Sequence, residues 1–239
     1  MSRIMDYRRI DQLEAVIVAA EHANAWKDPD IPKLQYEIAS RELDNYRKGI
    51  SVPPFNALIR CLRQISFGPK VSILDVGASA GYYSEVLKIA GYDFDYTALD
   101  FSPTFKELAE ELYPGIRFDL GDARQLPYAH DAFDIVLSGC CMLHILDYGQ
   151  VIRETARVTS RYAIFSKTPI RFDATTYFEK TAYGKPCLEI HFSEAELLQL
   201  FLDAGLRLIY STDVYSAVTE LGGYRTYLLE KKHLMHHPV

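Results

Sequence analysis

The segment Val71–Glu85, VSILDVGASAGYYSE, constrains the fold of this chain more than any other. It begins with Val, Ile, Leu and Val around a single Asp, the pattern of a parallel strand that is covered on both faces. Gly77 and Gly81 then bracket a loop of small residues, and helical spacing follows. Small residues let a ligand approach the backbone, and N–H groups at a helix start can face it. The segment therefore predicts a nucleotide-type site at the carboxyl end of a strand in an open α/β sheet.

The spacing of the glycines indicates which class of nucleotide ligand the loop can bind. A dinucleotide fingerprint, G-x-G-x-x-G, would require glycine where Ser79 and Tyr82 stand. A phosphate-binding loop would require Lys followed by Ser or Thr after the turn, and neither pair occurs there. The pattern that remains is Asp75-x-Gly77-x-Ser79-x-Gly81.

A second probable strand, within Tyr92–Pro103, ends at Asp100, 19 residues after Gly81. A carboxylate at this place can accept two hydrogen bonds from a ribose diol. Further short strands are predicted at Ile116–Leu120, Phe133–Ser138 and Tyr162–Ser166. The third strand is followed by Gly121-Asp122-Ala123.

Taken in this order and at these intervals, the segments resemble the class I S-adenosylmethionine-dependent methyltransferases. The pattern at Asp75 is similar to motif I of that family, D/E-x-G-x-G-x-G, with Ser79 in place of the central glycine. The resemblance covers residues 70–167 and implies S-adenosylmethionine as the cofactor, with Asp100 on the ribose and Asp122 on the adenine amino group. The implied cofactor-binding residues are Asp75, Gly77, Ala78, Ser79, Gly81, Asp100, Phe101, Ser102, Asp122, Ala123 and Ser138. Asp75 could instead satisfy N–H groups of its turn, and Asp100 could cap a helix.

The resemblance implies an α/β fold: a Rossmann-like three-layer α/β/α sandwich with a seven-stranded, mostly parallel sheet whose last strand is antiparallel. Residues 1–68 are predicted to form an N-terminal helical extension or lid, and residues 69–239 the methyltransferase domain. In the first predicted helix Leu13, Val16, Ile17 and Ala20 recur at helical spacing. Residues 168–192 form an aromatic-rich insertion that could cover the site. Arg153, Glu154 and Arg157 are predicted to form a solvated helix face.

A methyl acceptor that arrives protonated needs a general base. His144, just beyond the fourth strand, is the first candidate for a catalytic base, with packing at a loop-to-helix junction as an equal alternative. His191 beside Glu189 is the second candidate. Tyr177 and Tyr183 are candidate substrate-binding residues that could line the acceptor pocket.

Composition narrows the partners and the location. The net charge of −6 argues against nucleic acid, because phosphate neutralisation needs a basic surface. No run of about 18 apolar residues and no apolar leader are visible, so neither a membrane span nor a signal peptide is predicted. Four cysteines without C-x-x-C spacing predict reduced thiols and a cytoplasmic location. His233, His236 and His237 lack neighbouring carboxylates, so no metal site is predicted.

These observations favour an S-adenosylmethionine-dependent methyltransferase that acts on oxygen or nitrogen of a small-molecule or sugar-type acceptor. One alternative is a methyltransferase-like domain that binds the cofactor or a partner without catalysis. An aminopropyltransferase shares the fold, but the loop Gly139–His144 lacks the acidic residues expected to bind a polyamine. A nicotinamide-dependent oxidoreductase is disfavoured by the glycine spacing. The sequence leaves the oligomeric state open.

Overall fold

The computed structural model describes residues 7–215 and 222–232. The strands are β1 (Tyr7–Ile10), β2 (Ser72–Val76), β3 (Asp95–Asp100), β4 (Arg117–Leu120), β5 (Phe133–Gly139), β6 (Thr159–Arg171), β7 (Thr176–Ala182), β8 (Lys185–Ser193), β9 (Leu206–Asp213) and β10 (Gly222–Lys231). The helices are α1 (Gln12–Ala25), α2 (Asp30–Arg47), α3 (Pro53–Leu62), α4 (Tyr83–Ile89), α5 (Pro103–Leu112), α6 (Tyr148–Val158) and α7 (Glu194–Asp203), and a 3₁₀ turn spans Met142–His144.

Seven of the strands form the predicted Rossmann-like core. Their spatial order is β4-β3-β2-β5-β6-β10-β9, and the first five are parallel to one another. Strand β10 runs antiparallel to both β6 and β9. The fold class and the antiparallel last strand are therefore confirmed.

Alternation along the buried strands produces the three layers. Ile73 of β2 packs in the cluster that contains α3, α4 and α5, whereas Leu74 packs on the other side with α6. Successive side chains of a strand point to opposite faces, so two consecutive apolar residues pack against helices on opposite sides of the sheet. The parallel register places the carboxyl ends of β2, β3 and β5 along one edge of the sheet.

Three further strands extend this sheet beyond the predicted seven. Strand β6 continues past its predicted end at Ser166, and Ile170 pairs in parallel with Phe192 of β8. Strands β7 and β8 form an antiparallel hairpin, and β1 pairs with β7. The insertion at 168–192 is thus largely a hairpin. The N-terminal extension, predicted to be helical, contains a strand at Tyr7–Ile10 before its three helices.

The turn of this hairpin has an unusual residue. Ala182 pairs with Lys185, which leaves Tyr183 and Gly184 as a two-residue loop, and their φ angles are 53° and 76°. Two-residue turns of type I′ require positive φ at both central positions and favour Asn-Gly. A bulky aromatic at the first position is strained. Tyr183 therefore adopts a turn conformation that Asn would adopt at lower cost.

Helix α1 is confirmed, but its apolar stripe is not the buried face. Leu13, Val16 and Ile17 are 75%, 53% and 60% exposed, whereas Ala15 and Val18 are buried. The helix packs through these smaller residues against the sheet, in the cluster that includes the β8 core residues. The apolar periodicity predicted the helix correctly. The face that packs on the sheet is the one with Ala15 and Val18, whose smaller side chains let the helix lie close to the strands.

The prediction of a solvated face on α6 is wrong for two of its three residues. Glu154 is buried and accepts a hydrogen bond from the Leu126 N–H at 2.8 Å. Arg157 donates to the carbonyls of Tyr128 and Leu126 at 2.7 and 2.9 Å, and to Glu154. Glu154 and Arg157 therefore hold the loop after β4 in place, because they provide hydrogen-bond partners for its backbone N–H and carbonyl groups.

We expect Arg157→Met to lower the free energy of unfolding by about 2–4 kcal/mol, because it removes hydrogen bonds to two carbonyls and leaves the Glu154 carboxylate without its cation. Urea denaturation measures the loss, and hydrogen exchange should rise at Leu126–Tyr128. The control is Arg153→Met on the same helix, where an exposed side chain donates to Gln150; its effect should stay within about 0.5 kcal/mol. Equal effects of the two changes would contradict the anchoring role.

Candidate cofactor and acceptor site

Asp75 lies at the end of β2 with its side chain fully buried. Its Oδ2 accepts a hydrogen bond from the Tyr96 hydroxyl, and no described residue donates to its Oδ1. Burial raises the pKa of Asp75 to about 7, although the Tyr96 hydrogen bond acts in the opposite direction. A buried carboxyl oxygen without a donor is costly. Asp75 is therefore well suited to receive an N–H or ammonium donor from a ligand.

Asp100, at the end of β3, fastens the glycine loop. Its Oδ2 accepts from the Ser79 N–H at 3.0 Å and its Oδ1 from the Ser102 N–H at 3.1 Å. Burial raises the pKa of Asp100 to about 6, against these backbone hydrogen bonds. Each carboxylate oxygen has two lone pairs, so donors from a ribose can still be accepted. The helix-capping alternative weighed from the sequence is wrong, because the N-cap residue of α5 is Ser102. The Asp100 carboxylate instead holds two loop N–H groups, an arrangement that is compatible with ribose binding.

Ser102 extends this connection to the N-terminal segment. Its hydroxyl donates to the Trp26 carbonyl at 2.9 Å while its N–H bonds Asp100. The loop between β3 and α5 is therefore tied to the segment that follows α1. Phe101, next to it, is 42% exposed and offers a free aromatic face.

The glycine loop has the backbone that motif I requires. Gly77 and Gly81 have φ of 72° and 78°, and Ser79 adopts 53°. Ser79 thus holds the left-handed conformation that the family's central glycine would adopt at lower cost. A Cβ on Gly77 would lie 2.5 Å from the Cβ and sulfur of Cys141, in the loop after β5. Gly77 cannot carry a side chain while that loop is in place.

The other residues assigned to the cofactor lie along the same edge. Asp122 follows β4 and forms an ion pair with Arg124 at 2.6 Å, which lowers the pKa of Asp122. Ala123 beside it is buried. Ser138 pairs with Val76 across β5 and β2, and its buried hydroxyl has no hydrogen-bond partner in the described ranges.

His144 lies in the 3₁₀ turn that follows β5. Its Nδ1 donates to the Leu188 carbonyl at 2.6 Å. Burial lowers the pKa of His144 to about 4, so the imidazole is neutral near pH 7. Its ring centroid is 5.8 Å from that of Trp26. The arrangement combines packing with a basic nitrogen, Nε2, that keeps its lone pair.

His191 belongs to a separate network around Glu189 of β8. Glu189 Oε1 receives hydrogen bonds from His191 Nε2 at 2.9 Å and from the hydroxyls of Tyr7 and Tyr224, each at 3.1 Å. Lys180 forms an ion pair with the other oxygen. Burial alone would raise the pKa of Glu189, but His191 and Lys180 hold it below its ordinary value. The carboxylate is ionised and fully engaged.

The structure separates the two candidate acceptor tyrosines. Tyr183 lines a small cavity of about 10 Å³, room for a single water molecule, together with His22, Trp26 and Cys187, and its ring is 5.9 Å from that of Trp26. Tyr177 lies instead among the core residues of β8, α6 and α7. Burial and the nearby Glu196 raise the pKa of Tyr177.

Sequence reasoning did not select His22, Trp26, Tyr7, Lys180 or Tyr224. Trp26, the single tryptophan of the chain, was a visible signal. His22 sits among alanines in α1, where nothing local distinguishes it. Tyr7 joins Glu189 only through pairing of β1 with β7, which spans most of the chain.

Some predictions fall outside the region that the structure covers. His233, His236 and His237 lie beyond residue 232, outside the described residues. Across residues 7–215 and 222–232, the helices are too short or too polar to traverse a lipid bilayer.

Comparisons with known proteins agree with this geometry. Residues 74–165 match the family model described as a methyltransferase domain. The chain is 35% identical over 96 residues to ajmaline N-methyltransferase of Rauvolfia serpentina, covering 37% of this chain and 32% of that enzyme. It is 28% identical over 153 residues to demethylmenaquinone methyltransferase of Halalkalibacterium halodurans, covering 64% and 52%. The matches thus span about half or less of these relatives.

Solved structures extend the likeness in fold to nearly the whole chain. The 1,6-didemethyltoxoflavin-N1-methyltransferase of Burkholderia thailandensis, solved with its substrate and S-adenosylhomocysteine, superposes with a TM-score of 0.61 at 18% identity, over 98% of both chains. An S-adenosylmethionine-dependent methyltransferase of Clostridium acetobutylicum gives 0.60 at 14%, over 83% of this chain and 99% of that one. Residues 74–165 thus match a methyltransferase domain, and the strand order of the chain gives it the Rossmann-like fold of these solved methyltransferases.

Proposed function

We propose that this chain transfers a methyl group from S-adenosylmethionine to an oxygen or nitrogen atom of a small-molecule acceptor. The observation that carries the proposal is His144, a neutral imidazole with a free Nε2 lone pair. It follows the strand β5 and lies beside the aromatic side chain of Trp26. Relatives that act on an alkaloid and on a demethylated quinone support a small aromatic acceptor.

The residues at the carboxyl edge fit the cofactor. Asp75 has a buried oxygen without a donor, which suits the ammonium of the methionine moiety. Asp100 stands where the ribose hydroxyls would donate, and Phe101 offers an exposed ring for the adenine. Gly77 and Gly81 have no side chains, so a ligand can approach the backbone closely at these two positions. When bound, S-adenosylmethionine supplies an electrophilic methyl group on a sulfonium.

The chain's own residues then have two tasks: they position the acceptor and accept its proton. Trp26 and Tyr183 pack edge to face against each other, and a planar acceptor would lie against this aromatic pair, which excludes water. His144 Nε2 accepts the proton from the acceptor's O–H or N–H, while Nδ1 stays bonded to the Leu188 carbonyl. Most of the rate then comes from positioning the two reactants. The acceptor proton leaves through His144 to solvent.

The direct test is a screen with S-adenosylmethionine that carries a labelled methyl group, offered phenols, enols, N–H heterocycles and sugars. Label in an acceptor, with equal formation of S-adenosylhomocysteine, supports the proposal. Cofactor binding without label in any acceptor would favour the catalytically silent alternative. Binding of NAD in place of S-adenosylmethionine would favour an oxidoreductase.

Cofactor affinity should rise with pH. Ribose hydroxyls donate to the ionised form of Asp100, whose pKa of about 6 is raised by burial. Protonation therefore competes with binding below that value, and the affinity for S-adenosylhomocysteine should increase at least about tenfold from pH 5 to pH 7, since Asp75, with a pKa of about 7, also loses its proton over this range. Isothermal titration calorimetry at both pH values measures it.

Asp100→Asn should weaken this binding by about 10- to 100-fold at pH 7 and remove the part of the pH dependence centred near pH 6. Asp95→Asn, at the exposed opposite end of the same strand, is the matched control and should bind like the parent chain. An unchanged affinity in Asp100→Asn would remove Asp100 from the cofactor site.

Tyr183→Asn should separate turn stability from acceptor binding. Asn favours the positive φ that Tyr183 adopts, which offsets part of the packing lost with the partly buried ring, so the free energy of unfolding should fall by about 1–3 kcal/mol. Loss of the aromatic wall should lower kcat/KM for a methylated acceptor at least about tenfold, with S-adenosylhomocysteine affinity unchanged. Tyr177→Asn, away from the cavity, is the comparison. Equal loss of kcat/KM in both variants, or none in Tyr183→Asn, would contradict this role.

A further inference from the structure

Strand β6 contains a bulge beside β10, where Ser166 and Lys167 lie opposite the single residue Thr226. The Lys167 N–H donates to the Thr226 hydroxyl at 3.2 Å, and Lys167 has a φ angle of 54°. The extra residue of a bulge bends its strand and gives a side chain a new direction. The Lys167 side chain therefore does not follow the regular alternation of β6.

The bulge lies at the level where β5 ends, along the edge that also carries the cofactor loop. Ser166 pairs with Gly139, the last residue of β5. The thiol of Cys140, which follows, donates to the Lys167 carbonyl at 3.8 Å. A Cβ at Gly139 would lie 2.8 Å from the ring of Tyr83, at the start of α4. Open α/β sheets bind their ligands outside these strand ends, so Lys167 lies on the ligand-binding edge.

The ammonium group of Lys167 lacks a partner on this edge. The side chain is partly buried. Within residues 7–215 and 222–232, no acceptor lies within hydrogen-bonding distance of its Nζ, and no carboxylate lies within ion-pair distance. Lys180 of the neighbouring hairpin differs, because it forms an ion pair with Glu189. Lys167 is therefore an uncompensated cation.

The surroundings keep Lys167 charged. The neighbouring Cys140 raises the pKa of Lys167 most, burial acts in the opposite direction, and Tyr215 and Tyr83 add to the rise. The side chain is thus an ammonium near pH 7. Burial raises the pKa of Tyr183, whereas Lys167 lowers it. The charge of Lys167 therefore acts on the aromatic residue that is proposed to hold the acceptor.

We infer that the Lys167 ammonium binds a carboxylate of the methyl acceptor and so selects acceptors that carry one negative charge. The substrates would be small aromatic hydroxy or amino acids in which the carboxylate is bound and another atom is methylated. One uncompensated ammonium balances one negative charge, which a carboxylate carries and a phosphate exceeds near pH 7. The inference rests on the proposed function and names the chemical class of its substrate.

The cofactor also has a carboxylate, on its methionine moiety, and the sheet order argues against that moiety as the source. Asp75, proposed to bind the methionine ammonium, ends β2, and β5 lies between β2 and β6. Two strand spacings amount to about 10 Å. The ammonium and the carboxylate of methionine are attached to the same carbon, so both stay near β2. The acceptor is the ligand left for Lys167.

The test uses 2-, 3- and 4-hydroxybenzoate as probes, each compared with its neutral hydroxybenzamide. In isothermal titration of the full chain saturated with S-adenosylhomocysteine, at least one hydroxybenzoate should bind at least about tenfold more tightly than its amide. Equal binding of acid and amide for all three isomers, or no binding of any hydroxybenzoate, overturns the inference.

Variants of Lys167 connect the preference to the ammonium. Lys167→Asn removes the charge, and because Asn tolerates a positive φ the fold should be kept, as thermal unfolding will show. This variant should bind acid and amide equally, whereas Lys167→Arg should retain part of the preference. Lys88→Asn, at an exposed position of α4, is the control and should behave like the parent chain. An undiminished preference in Lys167→Asn overturns the inference.

The affinity for S-adenosylhomocysteine alone separates the remaining outcomes. It should be the same in the parent chain and in Lys167→Asn. A fall of about tenfold or more in Lys167→Asn overturns the inference in favour of the methionine carboxylate. Cofactor binding without discrimination between acid and amide removes the substrate class and leaves the methyltransferase proposal standing. Failure of the parent chain to bind the cofactor removes the proposed function itself.

Discussion

Strand β6 is the constraint on which both halves of this molecule depend. Its first part lies between β5 and β10 in the core sheet, and its last residues, Ile170 and Arg171, pair with β8. The hairpin of β7 and β8 and the strand β1 are therefore joined through β6 to the same frame that holds the cofactor loop. The pairing of β6 with both β5 and β8 therefore helps to place His144, which follows β5, near the Leu188 carbonyl of β8.

Burial of ionisable groups gives the site its electrostatic character. Asp75 and Asp100 lie close together with their pKa values raised by burial. Glu189 differs, because Lys180, His191 and two tyrosine hydroxyls surround it and keep it ionised. Asp75 keeps one buried oxygen without a donor among the described residues, and Asp100 holds two loop N–H groups, whereas Glu189 has side-chain donors on both of its oxygens. The Glu189 network therefore reads as a fixed support of the extension, with His191 held by it.

The sequence predicted the core well because its signals are local. The run of buried residues before Gly77 and the position of Asp100 depend on neighbours a few residues away. The start of α6 is equally local, because Asp147 caps this helix by accepting a hydrogen bond from the Gln150 N–H at 3.2 Å. The sheet edge then follows from the general arrangement of parallel strands.

The extension escaped prediction for physical reasons. Pro169 made β6 appear to end early, because proline has no N–H to donate to a neighbouring strand. In the structure the strand continues through Pro169, which pairs with Tyr224. Gly184 and Pro186 made the hairpin resemble an irregular loop. His22 carries no periodic signal, and its position opposite His144 arises only from packing of α1 on β8.

The Ser102 hydrogen bonds have a consequence for how two ligands would influence each other. Asp100 bonds the Ser102 N–H, and the Ser102 hydroxyl bonds the Trp26 carbonyl, so the carboxylate and the backbone of Trp26 are joined by one short chain of contacts. Under the proposed function, a cofactor that orders Asp100 would also order Trp26, and an acceptor bound beside Trp26 would in turn favour the cofactor. Such linkage between two affinities is reciprocal by thermodynamic necessity.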